Sequence, residues 1–111
     1  MKTTTKIALS SLALALTTGV ALAAPATENW DNLCSSCHGS DGKAQTKMGK
    51  KLKIRDYTDA KVQAELKEDE MLKAVTDGIK ADGKDKMKAF KDEISADEAK
   101  DLVAYIRKFK A

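Results

Sequence analysis

The chain has 111 residues, 33% of them charged, with a formal net charge of +3 and 5% aromatic content. That is the length of one small domain, and without basic–aromatic interleaving it excludes a nucleic-acid binder. Two cysteines and one histidine also exclude a structural zinc site with two Cys or His pairs.

The first 23 residues read as a secretory signal peptide. Lys2 and Lys6 give a positive start, Ile7 to Leu16 an apolar run softened by Ser10 and Ser11, and Ala21-Leu22-Ala23 a small-x-small cleavage site. Cutting after Ala23 leaves Pro25 in the second position, whereas cutting after Ala24 would put it in the disfavoured first. An uncleaved N-terminal anchor is the alternative, but the run falls short of the span of about 20 apolar residues that a bilayer needs. Residues 24–111 are then a single exported domain, which in a bacterium means the periplasm. Losing Lys2 and Lys6 lowers the basic count from 20 to 18, against 17 acids. The domain is close to neutral.

A first helix is expected from Pro25-Ala26-Thr27, with Thr27 as N-cap. It carries Trp30, Leu33 and Cys34-Ser35-Ser36-Cys37-His38. Both cysteines and the single histidine fall in these five residues. Cys-x-x-Cys-His is the attachment signature of a c-type haem. Two thiols on one helical turn can each add to a vinyl group of the same porphyrin, and the next imidazole is held where it can bind the iron. A thioredoxin-type dithiol would need a preceding strand. A disulfide closing so short a loop removes little chain entropy and leaves His38 without a task. Haem attachment is the reading that uses all three residues, and export from the cytoplasm agrees with it. A buried porphyrin would also supply apolar surface that so short a chain lacks.

Gly39, Asp41-Gly42 and Gly49 predict an irregular loop from Gly39 to about Asp56. Thr58 and Asp59 can cap a short helix bearing Val62 and Leu66. A helix follows over about Glu68 to Asp77, with acids in its first turn and Gly78 beyond its end. A second loop is expected from Ile79 to Glu93. Ser95-Ala96-Asp97-Glu98 is a capping box, and Ala99, Leu102, Val103 and Ile106 repeat behind it at helical spacing. There is no strand-like alternation.

With no second histidine, the far side of the iron falls to a thioether, from Met48, Met71 or Met87. Met71 lies in the apolar stripe of a helix, where methionine usually fills core. Met48 is close to His38 in sequence. Met87 lies in the second loop among Lys84, Lys86, Lys88 and Lys91, where packing alone gives an apolar side chain little reason to be. It is the favoured candidate. A thioether ligand raises the reduction potential relative to two nitrogen ligands.

Taken in order, these motifs resemble a small bacterial class I cytochrome c, the periplasmic monohaem c-type cytochromes. The resemblance covers Thr27 to Phe109. It rests on Trp30 four residues before Cys34, on Cys34 to Gly39, on Gly49-Lys50-Lys51-Leu52 for the family's Gly-Pro-x-Leu, on Met87-Lys88-Ala89-Phe90 for Met-Pro-Ala-Phe, and on Leu102 to Ile106 for Leu-Val-Ala-Tyr-Ile. It implies an all-α cytochrome c fold, about four helices around one covalently attached haem c. It implies attachment at Cys34 and Cys37, axial ligation by His38 and Met87, Leu52 packed on the haem, and a crossing of first and last helices through Trp30, Leu102 and Tyr105. Two positions depart from the family. Lys50 replaces a proline whose carbonyl accepts from the ligating histidine, though a lysine carbonyl can do the same. Lys88 replaces the proline after the ligand methionine.

The function implied is a soluble periplasmic one-electron carrier and not an enzyme. A haem peroxidase or a gas sensor with a displaceable sixth ligand is the alternative. Partners would be redox proteins or membrane electron-transfer complexes, and the chain a monomer. Lys43 to Arg55 holds six basic residues and no acid. Lys80 to Lys91 adds five lysines against Asp82 and Asp85. A positive haem edge made by these loops would steer the protein to acidic partners. Lys67 and Lys110 are expected to lie away from that edge.

Overall fold

The computed structural model describes residues 10–13 and 23–110, so the expected signal peptide falls almost wholly outside the described residues. Among those described, no helix is long and apolar enough to cross a membrane. Residues 26–38 form one continuous helical run: α1 (Ala26–Asn29), a π-helical turn (Trp30–Cys34) and α2 (Ser35–His38). It starts one residue before Thr27, which lies inside the first turn. Pro25 takes the N-cap place with φ −56° and no side-chain cap, because its ring presets a φ that suits a helix start. The Ser35 N–H bonds to the Trp30 carbonyl, five residues back. Such π turns occur often at functional sites, and this one spans the approach to the cysteines.

Three more helices follow: α3 (Lys47–Lys51), α4 (Ala60–Glu65) and α5 (Glu68–Asp77). Helix α3 lies inside what the sequence presents as loop. The Thr46 hydroxyl caps it by accepting from the Gly49 N–H, and it donates to the Cys37 carbonyl at 2.6 Å. Gly49 lies so close to the attachment motif that a Cβ there would come within 2.3 Å of the Ala44 carbonyl oxygen and 2.7 Å of that of Cys37. Its glycine therefore marks a close approach and not a break. Asp59 caps α4, while Thr58 bonds instead to the Asp56 carboxylate.

The second expected loop contains a β-hairpin, β1 (Ile79–Ala81) and β2 (Lys84–Met87). Its register pairs Ile79 with Met87, Lys80 with Asp85 and Ala81 with Lys84, with an irregularity between Ile79 and Lys80. Asp82 and Gly83 turn the corner at φ 54° and 73°. Two successive positive φ values suit the right-handed twist of a tight hairpin, and Asp-Gly is a strong signal for that turn. The final helix α6 (Ala96–Arg107) carries the full capping box expected from Ser95 and Glu98.

The first and last helices cross as expected. Among the described residues, Trp30 and Leu102 are the two largest fully buried side chains, each 1% exposed. The Trp30 ring lies 5.7 Å from Tyr105 and 5.0 Å from Phe109, and its indole N–H donates to the Gly39 carbonyl at 3.0 Å. Asn29 adds a polar latch, donating to the Glu98 carboxylate at 2.7 Å. Hydrogen bonds from Asn29 and Ser95 hold the Glu98 carboxyl below its ordinary range. Arg107 donates to the carbonyls of Gln63 and Leu66, fastening the α4–α5 connection to the end of α6. Among the described residues, five helices and a small hairpin thus enclose one core, one helix and one hairpin more than the sequence reading provided.

Candidate haem site

The attachment motif enters the core on the π turn. Cys34 is buried and Cys37 half-buried, and no disulfide joins them. Burial, with Cys37 beside it, pushes the Cys34 thiol up to about 11. His38 stacks on Tyr57 at 5.3 Å between ring centroids and 20° between planes. Trp30 touches the imidazole from another side at 5.5 Å. Burial lowers the His38 pKa, leaving the neutral ring that binds metals.

A cavity of about 220 Å³, partly open to solvent, lies against this motif. That is below the range of about 300–1,000 Å³ typical of small-molecule sites; its lining, not its volume, is what suits a cofactor. Cys34, His38, Trp30 and Tyr57 line one part, and Met71, Val75, Ile79, Met87, Leu102 and Ile106 close others. Of the three methionines, Met71 and Met87 line the cavity and Met48 does not; Met48 is 40% exposed on α3. Cys37 is not among the lining residues. Leu52, at the end of α3, is half-buried and is likewise outside the lining. Lys67, expected away from the site, lines it together with Glu70, because it immediately precedes α5, whose Met71 faces the cavity.

One detail departs from the family pattern. His38 Nδ1 is buried with no hydrogen-bond partner. The Lys50 carbonyl, the expected acceptor, takes the N–H groups of Leu52 and Lys53 instead. Without a proline ring to fix it, residue 50 closes the end of α3. A buried, unpartnered ring nitrogen costs about 1–3 kcal/mol. The imidazole, the buried thiol and the apolar walls fit a haem, which needs thiols to attach to, a neutral nitrogen ligand and a dry surround. No group of three or more His, Cys, Asp or Glu among the described residues could hold a bare metal ion instead.

Tyr57 and Ile79 were not legible as site residues. Tyr57 follows a basic loop with no periodic signal. Ile79 is placed only by its pairing with Met87, which the Asp82-Gly83 turn could have suggested.

The profile of a cytochrome c family, described as cytochrome c oxidase, cbb3-type, subunit III, matches residues 21–106. The chain belongs to this family of cytochrome c domains. A solved structure, the KustC0563 c-type cytochrome, is similar at 28% identity and a TM-score of 0.69, over 79% of this chain and 100% of that one. A tyrosine-to-phenylalanine mutant of the same cytochrome aligns at 29% identity and a TM-score of 0.67, covering 78% of this chain and 100% of that one. No curated protein matches. The cytochrome c domain has the Cys-x-x-Cys-His motif of one covalent haem c. Cytochromes c typically carry electrons and do not catalyse reactions, and their partners are redox proteins.

Proposed function

We propose that residues 24–111 form a soluble periplasmic electron carrier, exported by a leader cleaved after Ala23. Cys34 and Cys37 hold the haem and His38 and Met87 ligate its iron. The observation that carries this reading is that His38 and Met87, far apart in sequence, line one cavity with a buried cysteine. The haem supplies a one-electron couple. His38 gives its neutral ring, Trp30 and Tyr57 orient that ring, and Val75, Leu102 and Ile106 exclude water. Met71 is the competing thioether, but at 7% exposure it is built into the core, while Met87 sits at the end of a hairpin strand. The haem should survive acid–acetone extraction and titrate reversibly with one electron, and the reduced protein should bind carbon monoxide poorly at neutral pH. Ready binding of carbon monoxide would favour a sensor or peroxidase instead.

For partners, we propose acidic docking surfaces. Helix α3 and its flanks present Lys47, Lys50, Lys51 and Lys53 without an ion pair among the described residues. Those lysines sit beside Cys37, to which Thr46 is bonded. On the hairpin side, Lys80 faces Asp85 at 3.9 Å and Lys88 pairs with Glu93 at 2.7 Å. Lys47→Glu should therefore slow association with an acidic acceptor several-fold at low salt, and Lys86→Glu less. Lys100→Glu and Lys110→Glu should change little. Screening confines such fields to about 8 Å at physiological salt, so the differences should shrink as salt rises. Stopped-flow kinetics would show it; equal effects at all four positions would mean the lysines are only solvated surface.

A further inference from the structure

The segment carrying Met87 lacks the proline of the Met-Pro-Ala-Phe pattern, yet it is held closely. Gly78 ends α5 at φ 73° and ψ −175°, a conformation essentially open only to glycine. A Cβ built there would lie 2.5 Å from the Met87 carbonyl oxygen, 2.8 Å from the Ala89 nitrogen and 2.9 Å from the Lys88 carbonyl carbon. All three are backbone atoms and cannot swing aside as a side-chain tip can. The segment from 87 to 89 therefore rests directly on the bare Cα of Gly78.

Further contacts keep it there. The Phe90 N–H donates to the Val75 carbonyl at 3.0 Å, and the Lys91 N–H to that of Thr76 at 3.2 Å. Both carbonyls belong to the last turn of α5, which has no helical partner for them. The Phe90 side chain is buried in the core cluster. From the other side, the hairpin pairs Met87 with Ile79, the residue after Gly78. The end of α5 is thus the seat on which Met87 is set toward the cavity.

We propose that Gly78 is the positioning residue for Met87: its missing side chain lets segment 87–90 lie against the end of α5 and sets how far the thioether reaches toward the iron. The inference rests on Met87 being the distal ligand. With a methyl group at 78, the Met87 carbonyl has to recede by about 1 Å to regain ordinary contact distance. Metal sites are sensitive to displacements of that size, since productive geometry is held within about 0.5 Å.

The test uses the intact holoprotein and three readouts: the near-infrared band of the ferric form that reports iron–thioether bonding, the reduction potential, and carbon monoxide binding to the ferrous form. Gly78→Ala should lose most of the band, lower the potential toward that of Met87→Ala, and speed carbon monoxide binding at least tenfold. Gly83→Ala is the control. Gly83 also has a positive φ, 73°, but a Cβ there meets nothing within 4 Å, so the band and potential should stay as in the parent. Phe90→Leu leaves Gly78 alone and loosens the same seat; it should weaken the band in the same direction. If Gly78→Ala folds with native helix content and keeps both band and potential, the proposal is wrong. If Gly78→Ala does not fold, Phe90→Leu decides, and an unchanged band there overturns it. Met87→Ala separates the two layers: a band that survives it removes Met87 as ligand, whatever Gly78 does.

Discussion

Met87→Ala should abolish the near-infrared band of the ferric protein and lower the reduction potential by on the order of 0.1 V, within the roughly 0.8 V that axial ligands span. Met71→Ala should do the opposite: keep band and potential but destabilise the fold by about 2–5 kcal/mol, as truncating a buried methionine does. Both side chains line the cavity, so proximity does not separate them. Their settings do. Met71 projects from the middle of α5 into the packed cluster with Val75 and Leu102, while Met87 ends a short strand and is only partly buried. Met48→Ala, on an exposed helix outside the cavity, should change neither quantity. Ferric absorption spectra, a redox titration and a denaturant curve for each variant would show the pattern. Loss of the band in Met71→Ala would assign the iron to α5.

Leu102→Ala should cost about 2–5 kcal/mol and Trp30→Ala about 3–5 kcal/mol. These two side chains belong to one core cluster, in which α6 packs on the first helix, and both are 1% exposed. For a domain of this size, a loss of that order lowers the thermal midpoint by about 10 °C or more. Lys100→Ala, on the exposed side of α6, should stay within about 0.5 kcal/mol. Urea unfolding of the three holoproteins would measure the contrast. A Leu102→Ala cost in the Lys100 range would mean that the helix crossing does not carry the fold.

The parts legible in the sequence were those with a local cause. The capping box at Ser95 and Glu98, the acidic first turn of α5 and the stripe from Ala99 to Ile106 each announce a helix within a few residues. Cys34, Cys37 and His38 announce their chemistry by spacing alone. The parts missed have causes remote in sequence. Gly49 reads as a loop breaker, but its missing side chain answers to the carbonyls of Ala44 and Cys37, and the five-residue helix around it went unseen. The hairpin has three- and four-residue strands rich in lysine, with no apolar alternation to betray them; only Asp82-Gly83 pointed to it. The Lys50 carbonyl was expected at His38, but it is used to finish α3. Tyr57 reaches the imidazole through a backbone path fixed by the Tyr57 N–H bond to the Gly42 carbonyl at 2.9 Å, which no spacing rule reveals.

The cavity wall has a consequence for the order of assembly. It draws on Trp30 and Cys34 near one end of the domain and on Leu102 and Ile106 near the other. Cys34 is only 8% exposed once these meet. A finished apoprotein would thus hide the sulfur that must react. A chain whose last helix had not yet docked would leave that sulfur open to a porphyrin. The long sequence separation between Trp30 and Leu102 slows their meeting and so would lengthen the time for which Cys34 is accessible.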